Sequence, residues 1–84
     1  MRIISQNQEC DIPYEIAILS VDNMGDECCL NAFVNNRCFW LGTYKSLVEV
    51  KGILWAIAAN AKAGKNYYEM PLCDEDLSDV FKTV

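Results

Sequence analysis

S-L-V-E-V-K-G-I-L-W-A-I-A-A-N-A-K-A-G, residues 46–64, is the stretch on which the reading of this chain turns. It is long and periodic enough to predict a helix. Ser46 and Glu49 form an S-x-x-E capping box, in which the hydroxyl takes the N–H three residues on and the carboxylate reaches back. Gly64 follows Ala63 as a left-handed C′ residue, with Lys62 and Lys65 near the negative end of the dipole. About 17 residues, roughly 25 Å, are left as helix. Leu47, Val50, Leu54, Ile57, Ala58 and Ala61 recur at helical spacing and form the stripe that a sheet would cover. Val48, Gly52, Trp55, Ala56, Ala59 and Ala63 fall on the flank and back, where a surface helix of a small monomer is ordinarily polar. Two readings follow. Trp55 covers a sheet edge and the alanines are simply good helix formers; or Val48, Gly52, Trp55 and Ala59 form a homo-oligomer contact. In the second reading small residues admit a close neighbour and the large ones anchor it.

Working outward from the helix, the preceding segments read as strands. Residues 28–34 and 37–44 flank Asn35-Asn36, and two asparagines tolerate the positive φ values of a type I′ turn. This predicts a tight hairpin with Val34 opposite Arg37, Ala32 opposite Phe39, Asn31 opposite Trp40 and Leu30 opposite Leu41. Leu30, Ala32, Phe39 and Leu41 then face the helix. Cys29, Asn31, Phe33, Cys38, Trp40 and Tyr44 share the other, aromatic face. Upstream, residues 2–6 and 14–21 read as strands, the second with both faces covered. Residues 7–11 are turn-rich, and Ile12 is extended because Pro13 follows it. Downstream, residues 67–71 read as a short edge strand ended by Pro71. The expected fold is α+β: an antiparallel four- to five-stranded sheet with one long helix on one face, in ββββαβ order. The 84 residues make a single domain, with 73–84 as an acidic tail or short terminal helix built on Leu77, Val80 and Phe81.

Composition narrows the function classes. With 52% apolar residues in so short a chain, there is more apolar surface than one small core hides, which again favours self-association. No apolar run is long enough to span a bilayer, and the opening residues lack the form of a signal peptide. The net charge of −5 disfavours nucleic-acid backbones as partners. Five cysteines, no C-x-x-C and no histidine predict free cytosolic thiols, no metal and no cofactor. Without histidine the usual triads are absent, and Ala63-Gly64-Lys65 ends a helix rather than forming a P-loop, so the expectation is a protein that is not an enzyme. Ligand binding has more support. Asn31, Trp40 and Tyr44 could make a stacking platform with an amide to read a base edge, and Arg37 or Arg2 could fork a phosphate. The same aromatics would also suit a subunit interface.

M-R-I-I-S-Q at 1–6, D-I-P-Y-E at 11–15, Y-K-S at 44–46 and Y-E-M-P at 68–71, followed by acids to Asp76, resemble small uncharacterised proteins encoded by phages and prophages of Gram-positive bacteria. The likeness covers both ends and the start of the helix, about half the chain. It implies a viral or mobile-element origin and the host bacterial cytoplasm. It implies no activity and no site residues. Together with the absence of a catalytic set, it leads to the expectation of a counter-defence protein. Such a protein would sequester a small nucleotide immune signal, cyclic ADP-ribose-type or cyclic dinucleotide, in an oligomer pocket. The alternative is an inhibitor that binds a host defence protein through the acidic tail or an apolar patch.

Overall fold

A computed structural model describes residues 1–73. Its elements are β1 (Arg2–Ile4), β2 (Asp11–Pro13), a 3-10 turn (Tyr14–Ile16), β3 (Ile18–Asn23), β4 (Cys28–Val34), β5 (Arg37–Tyr44), α1 (Leu47–Lys62) and β6 (Tyr67–Glu69). The class is α+β. The single larger sheet is not found: there are two three-stranded sheets, β2-β1-β6 and β3-β4-β5, and five strands precede the helix rather than four. The acidic residues 74–76 and 79, and the terminal helix expected around Leu77, lie outside the described residues.

The division has a local cause. Gln8 takes a positive φ of 62°, and Ser5 Oγ accepts from the N–H groups of Glu9 and Cys10 while donating to Asn7 Oδ1. This closes a tight turn that folds residues 11–13 back, antiparallel, onto β1. Pro13 then starts a 3-10 turn where a continuous strand over 14–21 was expected. The blurred alternation of that segment is the trace of the interruption: Ile16 and Ile18 are exposed rather than covered. β6 runs parallel to β1, with Arg2 beside Tyr67 and Ile4 beside Glu69.

The helix forms as its caps dictate. Ser46 Oγ accepts from the Glu49 N–H at 3.2 Å. Gly64 has φ 78°, and the Gly64 and Lys65 N–H groups bond back to the Ala61 and Asn60 carbonyls, both at 3.1 Å, in a Schellman ending. Val50, Ile53 and Ile57 are its buried residues. The buried stripe is therefore centred nearer Ile53 than expected, and Ala58 is exposed. Burying each of these three side chains contributes about 1.5–3 kcal/mol. They join Ile3, Ile12, Leu30, Leu41, Tyr44 and Met70 in one core shared by both sheets.

The Asn35-Asn36 turn is type I′ in φ, at 52° and 67°. The predicted pairs Val34–Arg37, Ala32–Phe39 and Asn31–Trp40 are present. Beyond them the register departs from expectation: a β-bulge pairs Leu30 with Gly42, so Leu41 is the extra residue. Every residue of β5 after the bulge is therefore moved to the opposite face from the one an unbroken register assigns.

Candidate functional site

The bulge redistributes the residues expected to bind a ligand. Asn31 and Trp40 do face each other across β4 and β5, both half-buried on the sheet face away from the helix. Tyr44 does not join them. It pairs with Cys28, points into the core and is 1% exposed. Thr43 takes its place on the outer face, and its Oγ1 accepts from the Trp40 indole N–H at 2.8 Å. The Tyr44 hydroxyl donates to the Pro71 carbonyl at 2.6 Å. Burial pushes the Tyr44 phenol well above the ordinary tyrosine range, helped by nearby Tyr68, Glu49 and Cys73. Arg37 also leaves the platform. It shares a strand face with Phe39 rather than with Trp40, and its guanidinium carbon stands over the Phe39 ring at 5.8 Å. Arg2 is engaged by Asp11, through Nε to Oδ1 at 2.7 Å and Nη2 to the backbone carbonyl at 3.3 Å.

A cleft lies between β2 and the tip end of the hairpin, lined by the residues that Arg37 and Arg2 contact, Phe39 and Asp11, rather than by the arginines themselves. It has a volume of about 300 Å³ and is lined by Glu9, Cys10, Asp11, Ile12, Pro13, Val34 and Phe39. The rigid turn at Ser5 sets one wall and the type I′ hairpin sets the other. Its chemistry is an apolar floor with one aromatic ring and two carboxylates, one of them paired with Arg2; the Arg37 guanidinium contacts that ring from outside the lining. Sequence reasoning passed over Phe39 because the register put it on the helix-facing side. The available signal was the spacing Arg37-x-Phe39, which places a cation and a ring on one strand face.

The four residues named for an oligomer contact lie together on the solvent side of α1. Val48 is 81% and Trp55 78% exposed, and Gly52 and Ala59 are exposed between them. A Cβ at Gly52 would meet nothing within 4 Å outside the helix's own backbone, so that position opens to solvent. Trp55 also borders a shallow depression with Leu54 and Ala58. Trp55 thus covers no sheet edge, which was the other reading of its position.

All five cysteines are free, with Cys38 exposed, Cys10 half-buried and the other three buried. Among the described residues no group of three or more His, Cys, Asp or Glu side chains comes together to hold a metal ion, and no helix is long and apolar enough to cross a membrane. Comparison with protein-family models, with curated protein sequences and with solved structures finds no match.

Proposed function

We propose that this chain is a counter-defence protein of a phage or prophage, acting in the bacterial cytoplasm, that binds and sequesters a small nucleotide signal without altering it. The ligand part rests on one observation: Phe39, the one aromatic ring that lines the cleft beside β2, carries the Arg37 guanidinium over it. A ring and a guanidinium together offer a face for a base and a fork for a phosphate. Arg37 and Arg2 are offset by Glu9 and Asp11, which suits a ligand with one or two net negative charges, such as a cyclic ADP-ribose-type molecule or a cyclic dinucleotide, over a polyanion. The volume is at the low end for ligand pockets, so a second copy closing over the cleft would complete the site. The counter-defence part rests on the resemblance of the opening and closing residues to phage and prophage proteins.

An inhibitor of a host defence protein is the second reading. The exposed Trp55 and Val48 favour it, because interfaces draw on such side chains. One experiment separates the two. Purified protein is mixed with an extract of a host whose nucleotide-signalling defence is active. Sequestration removes the signal, and heating the complex releases the nucleotide unchanged. Inhibition leaves the signal in place and a host protein co-purifies. A chemically altered nucleotide on release would mean an enzyme and would refute both.

A further inference from the structure

We infer that the cleft beside β2 selects guanine among the bases, with the Glu9 carboxylate reading the base edge and Phe39 lying against its face. This rests on the nucleotide reading proposed above and narrows it. A guanine-bearing cyclic dinucleotide is favoured over an adenine-bearing signal of the cyclic ADP-ribose type.

The lining is short of donors. Apart from its apolar surface, the side chains that line the cleft are Glu9, Cys10 and Asp11. An ionised carboxylate only accepts hydrogen bonds, and a thiol is a weak donor. A ligand edge set against this wall must therefore bring the donors. The Watson–Crick edge of guanine carries the N1–H beside an exocyclic N2–H. These are parallel donors, the same fork with which an arginine guanidinium grips a carboxylate. Adenine sets its exocyclic N–H beside the N1 lone pair, so one carboxylate oxygen is satisfied and the other faces an acceptor. Cytosine has the same mismatch. A site built to hydrogen-bond one edge rejects another that leaves its polar groups unmatched.

Glu9 takes this role rather than Asp11 on two grounds. Asp11 is engaged by Arg2, Nε to Oδ1 at 2.7 Å, whereas Glu9 has no cationic partner among the described residues. Glu9 is also held in place. Asn7 Nδ2 donates to Glu9 Oε2 at 2.8 Å, while Asn7 Oδ1 accepts from Ser5 Oγ at 2.6 Å and from the Glu9 N–H at 3.1 Å. These bonds orient the amide with its nitrogen toward the carboxylate. Ser5 is buried, so the carboxylate hangs from a turn anchored in the protein interior. Holding a binding group in its bound geometry lowers the ordering cost of association. Asn7 is thus a positioning residue for Glu9.

Size and charge fit the same ligand. A cleft of about 300 Å³ takes one base rather than a whole cyclic dinucleotide. The Arg37 guanidinium, over the Phe39 ring at 5.8 Å and outside the lining, is then left for the phosphate. An arginine from a partner protein carries the same donor fork as guanine. It would bring a second cation to a ring that already has one, whereas the neutral base does not.

The test is isothermal titration of the full chain with cyclic di-GMP, cyclic di-AMP, cyclic ADP-ribose and argininamide, with circular dichroism to show that each variant is folded. Cyclic di-GMP should bind about 10- to 100-fold more tightly than either adenine probe, as for one hydrogen bond to a charged group. Glu9→Gln keeps an oxygen for the Asn7 bond but sets an amide against guanine, and should bring cyclic di-GMP to the level of cyclic di-AMP. Asn7→Ala keeps the carboxylate but frees it, and should shrink the guanine preference. Equal affinity for guanine and adenine probes, or a preference that survives Glu9→Gln, would overturn this inference and leave the nucleotide reading standing. No binding of any nucleotide probe would overturn the nucleotide reading and this inference with it. Argininamide as the tightest probe would assign the cleft to a partner protein's arginine and overturn both.

Discussion

Gly42 lies beneath the ring of Tyr44, so close that a Cβ on it would stand 2.9 Å from the ring's Cε2 and hydroxyl oxygen. The bulge in β5 and the burial of Tyr44 are therefore one feature. The extra residue turns Tyr44 inward, and the missing side chain at 42 makes room for it. Gly42→Ala should force the ring or the strand to shift and cost about 1–3 kcal/mol. Urea unfolding followed by tryptophan fluorescence would measure it. A variant as stable as the parent would show that the ring moves freely.

Burial of the Tyr44 phenol should also cost the fold stability at alkaline pH. Below about pH 10 the phenol is neutral in both the folded and the unfolded chain. Above it the unfolded phenol ionises, while burial holds the folded one protonated. Its contribution is thus fully present below the ordinary tyrosine pKa and is lost as pH rises beyond it. Stability should be flat on this account from about pH 7 to 9 and fall above about 10. Tyr44→Phe should lose about 1 kcal/mol at neutral pH through the bond to Pro71. It should also flatten the alkaline fall, leaving the smaller part due to Tyr68, whose phenol burial likewise raises. An unchanged alkaline slope in Tyr44→Phe would refute the assignment.

Ligand binding should depend on Arg37 and not on Trp40. Arg37→Ala removes the cation over Phe39 from an exposed hairpin end, so the fold should be unaffected. Binding to the captured nucleotide should weaken by about 1.5–3 kcal/mol, the range for a hydrogen bond to a charged group. Trp40→Phe keeps an apolar ring on the outer face, gives up only the bond to Thr43, and should leave affinity unchanged. Isothermal titration of the two variants would decide; the reverse result would return the site to the outer sheet face.

Thiol reactivity should follow burial. Cys38 is exposed, whereas Cys28, Cys29 and Cys73 are buried. A native-state titration with an aromatic disulfide reagent should show Cys38 as the fast thiol and half-buried Cys10 as a slower one, and Cys38→Ser should abolish the fast phase. The three buried thiols should react only at the rate of unfolding or local opening. Equal reactivity of all five would mean a far looser core than the one described.

What could be read in advance was whatever neighbouring residues decide. The Ser46 cap, the Gly64 ending and the Asn35-Asn36 turn are each specified within a few residues, and each is found where the chain predicts it. The pairing Asn31–Trp40 follows from the turn alone. The bulge does not, since it depends on Tyr44 having a core cavity to enter. Gly42 inside a strand was its one trace. The split into two sheets hangs on Ser5 gathering two backbone N–H groups around a left-handed Gln8, an arrangement that composition does not announce. The cleft was missed for the same reason: its walls come from segments far apart in sequence, and only their meeting makes Phe39 a neighbour of Asp11.

The parallel pairing of Arg2 with Tyr67 carries a consequence for how the chain reaches this state. The hairpin and α1 use contacts between sequence neighbours, and such structure forms early and fast. β1 finds β2 nearby, but its other edge must wait until the hairpin and the helix have been laid down and β6 has been carried back beside it. The first strand in sequence is thus among the last to be sealed. The side chain of Gln6 acts as the final latch. It accepts from the Thr43 N–H and donates to the carbonyls of Thr43 and Pro71, drawing together three segments that have only just met. Refolding should accordingly show a slow step that protects the amides of β1 and β6 after those of β4 and α1.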